Sequence, residues 1–237
     1  MSFRIEYKYI LYQNYIFEFL KNYKQIKKIY PDRFISSVYF DNKKLECHNS
    51  SIEGLVPRQK IRIRSYNNEN KYYLEKKINS EEGKFKRTKP ISETENEKYL
   101  NIGMLIPKLG MCNPKIIVSY NRSYYSFDNY RITIDRDINF KKFNSNEKLV
   151  LSKCILEIKT DMDNYQNIRK KFPWRHSRFS KYCEGIMTLN IKWIFSFSLT
   201  NYTGGENGIR THERVSPLHA FQACAFNHSA TSPIKFK

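Results

Sequence analysis

The chain of 237 residues carries 42 Lys and Arg against 23 Asp and Glu, a formal net charge of +19. That length fits one domain with a tail, and the charge concentrates anions around the protein without choosing among phosphates, nucleic acid and a membrane surface. The five cysteines are widely spaced and form no CxxC, which argues against a disulfide framework or a zinc site and fits a reducing cytoplasm.

The N-terminal stretch is broken by charge and lacks the apolar core of a signal peptide. Phe3 to Tyr9 alternates Phe3, Ile5, Tyr7 and Tyr9 with Arg4, Glu6 and Lys8, the period-two pattern of a strand. Leu11, Tyr15, Phe19 and Leu20 then fall at helical spacing before Pro31, which predicts a packed helix over about Leu11 to Ile26. Phe34 to Asp41 reads as a strand ending at an Asp-Asn turn signal.

Three further strands are expected between Arg58 and Lys89, joined by Asn-rich and Glu-Gly turns. Arg62 and Arg64, Glu75 and Lys77, and Lys84 and Lys86 are charged pairs separated by one residue, so each pair shares a face. Ile61, Ile63 and Leu74 take the other face. Taken alone, the Arg62/Arg64 strand also reads as a solvated cationic or nucleic-acid-binding surface. Ser92 to Leu105, acidic early and apolar late, predicts a helix over the apolar side. Lys115 to Phe127 and Tyr130 to Phe140 form a hairpin that puts Arg131, Thr133 and Asp135 on one face. Cys154 to Lys159 adds Glu157 and Lys159, and two short helices are expected near Met162 to Phe172 and Ser180 to Trp193. The apolar run Trp193 to Leu199 is too short to span a membrane, which takes ~20 residues.

The expected fold class is α+β, about eight antiparallel strands with helices packed outside. A flat sheet would show its charged face to solvent. A closed barrel would turn that face inward around a hydrated, anion-filled tunnel, because unpaired buried charge is costly. Tyr7, Tyr39, Phe40, Tyr72, Tyr124 and Tyr125 read as strand and core residues before base-stacking ones, and His48 and His176 as surface residues.

Nine short segments then occur in a family order. They are RIEYKY from Arg4, SVYFDN from Ser37, RIRSY from Arg62, YLEKK from Tyr73, KFKR from Lys84, SYNRSYY from Ser119, RITIDRDI from Arg131, ILEIK from Ile155 and FSKY from Phe179. On these the chain resembles the VTC domain, the polyphosphate polymerase branch of the triphosphate tunnel metalloenzymes, over roughly residues 3 to 190. The resemblance implies an eight-stranded antiparallel β-barrel, the triphosphate tunnel fold, whose basic lining grips a row of phosphates. It makes Lys8, Arg62, Arg64, Lys77, Lys86, Arg122, Arg131, Lys159 and Lys181 catalytic, phosphate-contacting candidates. Arg4, Lys84, Arg87 and Ser180 are substrate-binding candidates, with Lys84 or Arg87 able to stand in for Lys86. Glu157 is the implied ligand of Mn²⁺ or Mg²⁺, with Glu75 near it, and the implied partners are ATP, pyrophosphate or polyphosphate; nucleic acid is disfavoured.

The hydrolase and cyclase branch opens with ExExK, whereas this chain has Arg4, Glu6 and Lys8 at those spacings. Losing an acid and gaining a phosphate donor favours polymerase-type transfer of the ATP γ-phosphate over triphosphate hydrolysis. A noncatalytic polyphosphate or nucleic-acid binding module is the third reading. The SPX module and transmembrane segments of eukaryotic members do not occur in this sequence. The expected domain is 1–195. The remainder, 196–237, reads as translated antisense tRNA-region sequence because it loses strand periodicity and contains GIRT from Gly208; the alternative is a genuine partner-binding tail.

Overall fold

The computed structural model describes residues 4–161, 168, 171, 172 and 174–189. The chain divides between Ser196 and Phe197, and all described residues belong to the first part. The reading of the tail lies outside them, as does most of the helix expected near Met162 to Phe172.

The strands are β1 (Arg4–Leu11), β2 (Lys27–Asp41), β3 (Arg58–Tyr66), β4 (Tyr72–Ser80), β5 (Gly83–Ile91), β6 (Met104–Ile106), β7 (Gly110–Phe127), β8 (Tyr130–Lys142), β9 (Lys148–Leu151) and β10 (Cys154–Asp161). The helices are α1 (Gln13–Asn22), α2 (Glu46–Glu53) and α3 (Glu93–Ile102), followed by α4, residues 181–189. Eight strands form one antiparallel sheet in the order β1-β10-β8-β7-β2-β3-β4-β5, with β6 added to β7 and β9 to β8. The eight-stranded antiparallel expectation holds as a curled half-barrel. Its edges, β1 and β5, do not pair with each other among the described residues, so the sheet is not a fully closed wall.

Alternation sorts the side chains. On one half of the outer face, Tyr9 and Leu11 of β1, Ile132 and Ile134 of β8, and Leu156 and Ile158 of β10 are buried under Ile16 and Phe19 of α1. Tyr15, expected on that stripe, is 52% exposed. Leu11 belongs to β1, so the helix starts later and Ile16 and Phe19, three apart, take the buried side. β2 likewise begins seven residues before the expected Phe34 and runs through Pro31. That first half is exposed, so it carries no apolar alternation, and the register shifts between Tyr30 and Arg33 accommodate the proline.

α3 opens with the capping box Ser92 and Glu95, which satisfies two backbone donors at once. It ends at Gly103, whose φ of +88° and whose absent Cβ, which would sit 2.3 Å from Asn113 Oδ1, exclude other residues. Leu105, expected in this helix, therefore falls in β6. α4 differs from the outer helices. Gly185 lies against Ile116 and Phe140, where a Cβ would be 2.7 and 2.8 Å from their Cδ1 atoms. Ile116 is in register with Tyr39 of β2, so α4 occupies one end of the sheet's inner face. No helix among the described residues is long and apolar enough to cross a membrane.

Candidate functional site

Two walls of charge line the inner face. On the first, Arg62 and Arg64 of β3 are only 8% and 6% exposed. Arg62 donates through Nε and Nη2 to Glu75 Oε2 at 2.7 and 2.5 Å and through Nη1 to the Tyr39 hydroxyl at 2.9 Å. Lys86 Nζ reaches the other Glu75 oxygen at 2.6 Å. Burial works to raise the Glu75 pKa, but Arg62, Arg64 and Lys86 hold it down at about 2. Burial would also raise Tyr39, and the charges of Arg62 and Arg64 outweigh it to bring that phenol to about 7.

Tyr39 is itself held in place. Its ring stacks on Tyr182 of α4 with centroids 5.0 Å apart, and Tyr182 donates to Asp41 at 2.6 Å. Asp41 is fully buried and also accepts from the Cys47 and His48 amides of α2. His48, expected at the surface, packs edge-on to Tyr182, while His176 is exposed beside Tyr7.

Arg64 differs from Arg62. It donates to Ser37 Oγ at 3.1 Å and Tyr120 OH at 3.0 Å, packs on the Tyr66 ring, and forms no ion pair among the described residues. Its hydrogen bonds go to neutral hydroxyls alone and Glu75 acts on it only at a distance, so an incoming anion would give this buried guanidinium a direct partner. Lys77 also lacks a salt bridge there. Its side chain has open surface yet is hemmed in by protein, as a group pointing into a wet groove is. Burial and the nearby Arg62 charge lower its pKa to about 8.

The second wall comes from β1, β10, β8 and β7. Lys8 pairs with Glu6 at 2.9 Å, and Lys159 with Glu157 at 3.0 Å and Glu6 at 3.6 Å. Arg122 forms a two-pronged pair with Asp135 at 2.5 and 2.7 Å, and Lys181 joins it from α4. The walls meet electrostatically, since Lys77 on β4 feels Glu6 and Glu157. Between Glu157 and Tyr124 in register stands Thr133, whose buried Oγ1 has no hydrogen-bond partner.

The segment before α4 crosses this face. Ser177 N donates to the Lys8 carbonyl at 2.8 Å and Lys8 Nζ to the Phe179 carbonyl at 3.1 Å, while Lys60 of β3 donates to Ser180 Oγ at 2.8 Å. Ser180 also accepts from Cys183 N, the N-cap bond that starts α4. One strap thereby ties β1 to β3 over the groove.

For a divalent cation, Glu6 and Glu157 are the fitting pair. Burial and the Glu157 charge push the Glu6 pKa up, but Lys8 and Lys159 hold it below the ordinary value; burial likewise works to raise Glu157, and Lys159, Lys8, Arg122 and Lys181 hold it well below. Two hard carboxylates beside an unpartnered hydroxyl suit Mg²⁺ or Mn²⁺, which takes one or two protein carboxylates and completes its shell with phosphate oxygens and water. No group of three or more His, Cys, Asp or Glu side chains gathers among the described residues. Glu75 is engaged by Arg62 and Lys86 and serves as their counter-ion, which corrects its expected place beside the metal.

The structure brings Lys8, Arg62, Arg64, Lys77, Lys86, Arg122, Lys159, Lys181 and Ser180 together. Lys84 shares the inner face nearer the β4–β5 turn, in register with Asn79. Arg87 is opposite Lys76 on the other face, so it cannot replace Lys86; a one-residue step reverses the side-chain direction. Arg131 is in register with Lys159 and exposed, at the open end near the backbone of Arg4, which pairs with Asp161. Sequence reasoning assigned no role to Glu6, Ser37, Tyr39, Lys60, Tyr120 or Asp135. Parity was the signal for Glu6, Lys60, Tyr120 and Asp135, each an even number of residues from a charged candidate on its strand, whereas Ser37 and Tyr39 lie on β2, which carries no such candidate.

Comparison with known proteins follows the same outline. The family model described as "VTC domain" matches residues 3–190. A search of curated proteins gives no match. Among solved structures, a proposed adenylate cyclase from Bacillus halodurans superimposes with TM-score 0.54 at 13% identity, covering 76% of this chain and 94% of that one. A proposed adenylyl cyclase from Hippeastrum, with a dominant triphosphatase activity, gives 0.51 at 12%, covering 78% and 96%. A conserved hypothetical protein from Pyrococcus furiosus gives 0.50 at 15%, covering 76% and 99%. At these identities the likeness shows the fold.

Proposed function

Since the chain belongs to the VTC domain family, we propose that it is a phosphotransferase of the polyphosphate polymerase type. It would transfer the γ-phosphoryl group of ATP to a growing inorganic polyphosphate chain with Mn²⁺ or Mg²⁺ as cofactor. The observation that carries this reading is Arg64, a buried cation with no ion-pair partner among the described residues, on the same inner face as Lys77, an exposed lysine that likewise forms no salt bridge among them. A groove short of anions on one wall is arranged to receive them.

The chemistry requires positioning and charge neutralisation more than covalent participation. Arg64 and Arg62 present planar forks to phosphoryl oxygens, and Lys77, Lys8 and Lys181 supply movable point charges. Glu75 and Asp135 preorganise Arg62 and Arg122 before substrate arrives. Glu157 and Glu6 would hold the divalent cation, which supplies neutralisation of phosphate oxygens when bound. An acceptor phosphate is already an anionic nucleophile, so no general base is needed for transfer to a chain end. Four described cysteines are free and buried thiols, which supports a cytoplasmic setting.

A second reading, triphosphate or polyphosphate hydrolysis on the same fold, is favoured by Tyr39. A phenol brought to about 7 beside Arg62 is partly ionised near neutral pH, and its phenolate can accept a proton from the attacking water, returning to phenol. Incubation of the purified protein with ATP and Mn²⁺, followed by gel analysis and phosphate release, separates the two. Polyphosphate ladders support the first; orthophosphate without ladders supports the second and sinks the first.

A further inference from the structure

Ile35 of β2 is in register with Tyr66 of β3, and before it the first half of β2 pairs among the described residues with β7 alone. This two-stranded lip carries the inner face past the end of β3. On it Arg33 stands directly opposite Arg122, and Tyr30 opposite Tyr124. The Arg33 guanidinium lies over the Tyr124 ring, 5.7 Å from its centroid, and the Tyr30 ring meets Tyr124 edge-on at 5.9 Å. Tyr124 is buried, whereas Tyr30 is 53% exposed and Arg33 is exposed. The adjacent Asp32 turns to Lys28 and Arg136. Core packing thus leaves unused the outer part of Tyr30 and the guanidinium of Arg33. Together they offer a flat aromatic and cationic surface, the combination on which nucleobases stack.

The lip adjoins the arginines of the groove. Arg64 reaches the hydroxyl of Tyr120, two residues before Arg122. Burial raises the Tyr124 pKa, Arg122 and Arg33 oppose it, and Tyr66 and Tyr120 add to it, so these side chains share one neighbourhood. We propose that Tyr30 and Arg33 form a nucleobase platform at the mouth of the groove, which takes the base of a nucleoside triphosphate whose phosphates lie on Arg122 and Arg64. The inference rests on the phosphate-binding reading of the groove and adds to it the contact that marks the donor as a nucleotide. Side chains directly opposite each other on paired strands stand about 5 Å apart, so a phosphate at Arg122 leaves the attached nucleoside over the lip. Stacking reads no base edges, and the platform accepts any base. Inorganic tripolyphosphate has no group that stacks on it.

The test is metal-free calorimetric binding of ATP and of tripolyphosphate, at matched ionic strength, to the full chain and to Tyr30→Leu and Tyr30→Phe. Tyr30→Leu weakens ATP about tenfold, within the range of one base–aromatic stack, and leaves tripolyphosphate within about twofold. Tyr30→Phe keeps the parent's ATP affinity, because the ring and not the hydroxyl makes the contact. Both substitutions replace a half-exposed side chain, and tripolyphosphate binding reports that the groove is intact. Equal losses for both ligands, or no loss for either, overturn the platform while the groove reading stands. A parent protein that binds neither ligand overturns both.

Discussion

Arg62 and Glu75 face each other directly across β3 and β4, and two guanidinium nitrogens converge on one carboxylate oxygen at 2.7 and 2.5 Å. Glu75 is about 1% exposed, so the pair is out of water. Its removal on one side leaves Arg62 and Lys86 without their shared counter-ion. Glu75→Gln is expected to destabilise the fold by roughly 3–5 kcal/mol in denaturant titration. Added tripolyphosphate should recover part of that loss by supplying the missing negative charge.

The same pair sets an acid limit. The folded Glu75 pKa of about 2 lies below its ordinary 4.5, so its contribution is fully present above pH 4.5 and is lost as pH falls toward 2. Denaturation midpoints measured from pH 5 down to pH 2 should fall for the parent and fall less for Glu75→Gln. Parallel curves for the two proteins would remove Glu75 from the account.

Arg64→Met probes the opposite case, a buried charge with no ion pair among the described residues. Its two hydroxyl partners are lost, but so is the cost of burying a guanidinium that makes no ion pair among the described residues. Stability should stay within about 1 kcal/mol of the parent, while tripolyphosphate affinity drops at least about tenfold. Loss of fold without a specific loss of binding would recast Arg64 as a structural group.

Glu157→Gln separates metal use from phosphate grip. The variant removes a carboxylate from the Glu6–Glu157 pair and leaves the cations in place. Turnover dependent on Mn²⁺ or Mg²⁺ should be abolished, with metal-free polyphosphate binding retained or stronger. Unchanged turnover would withdraw the metal assignment.

Lys77 predicts a pH effect on binding. With a pKa of about 8, it is charged at pH 7 and loses its proton through pH 8 to 9, where anion affinity should decline. Lys77→Arg keeps its charge across that range and should flatten the decline, leaving the smaller part due to Tyr39. Calorimetry in matched ionic strength from pH 6.5 to 9 measures it.

Most of the sheet was legible because charge and apolar residues alternate on both faces of β1, β3, β4, β8 and β10. The exposed first half of β2 had no such contrast and escaped notice. Parity also identified which residues share a face, but not which partners they choose. Glu75 lies two residues from Lys77, yet whether it turns to a cation or a metal depends on register with Arg62 and Lys86, which sit on different strands. Arg87 illustrates a similar limit: within KFKR only the pairing of Lys86 with Lys77 decides which basic residue looks inward. Asp135 was placed on the right face, but its role as counter-ion to Arg122 and Lys181 depends on contacts 13 and 46 residues away.

The strap has a consequence for synthesis. Lys8 is held by Phe179, 171 residues further along the chain, and among the described residues β1 pairs with β10 alone. A ribosome-bound chain therefore exposes the Arg62–Arg64 wall long before its opposite wall exists. Contacts this distant in sequence form late because loop closure precedes their reward. Completion of the inner face is in this sense a late step: the cations of β3 to β5 stand on an open surface until β10 and residues 174–189 arrive to face them.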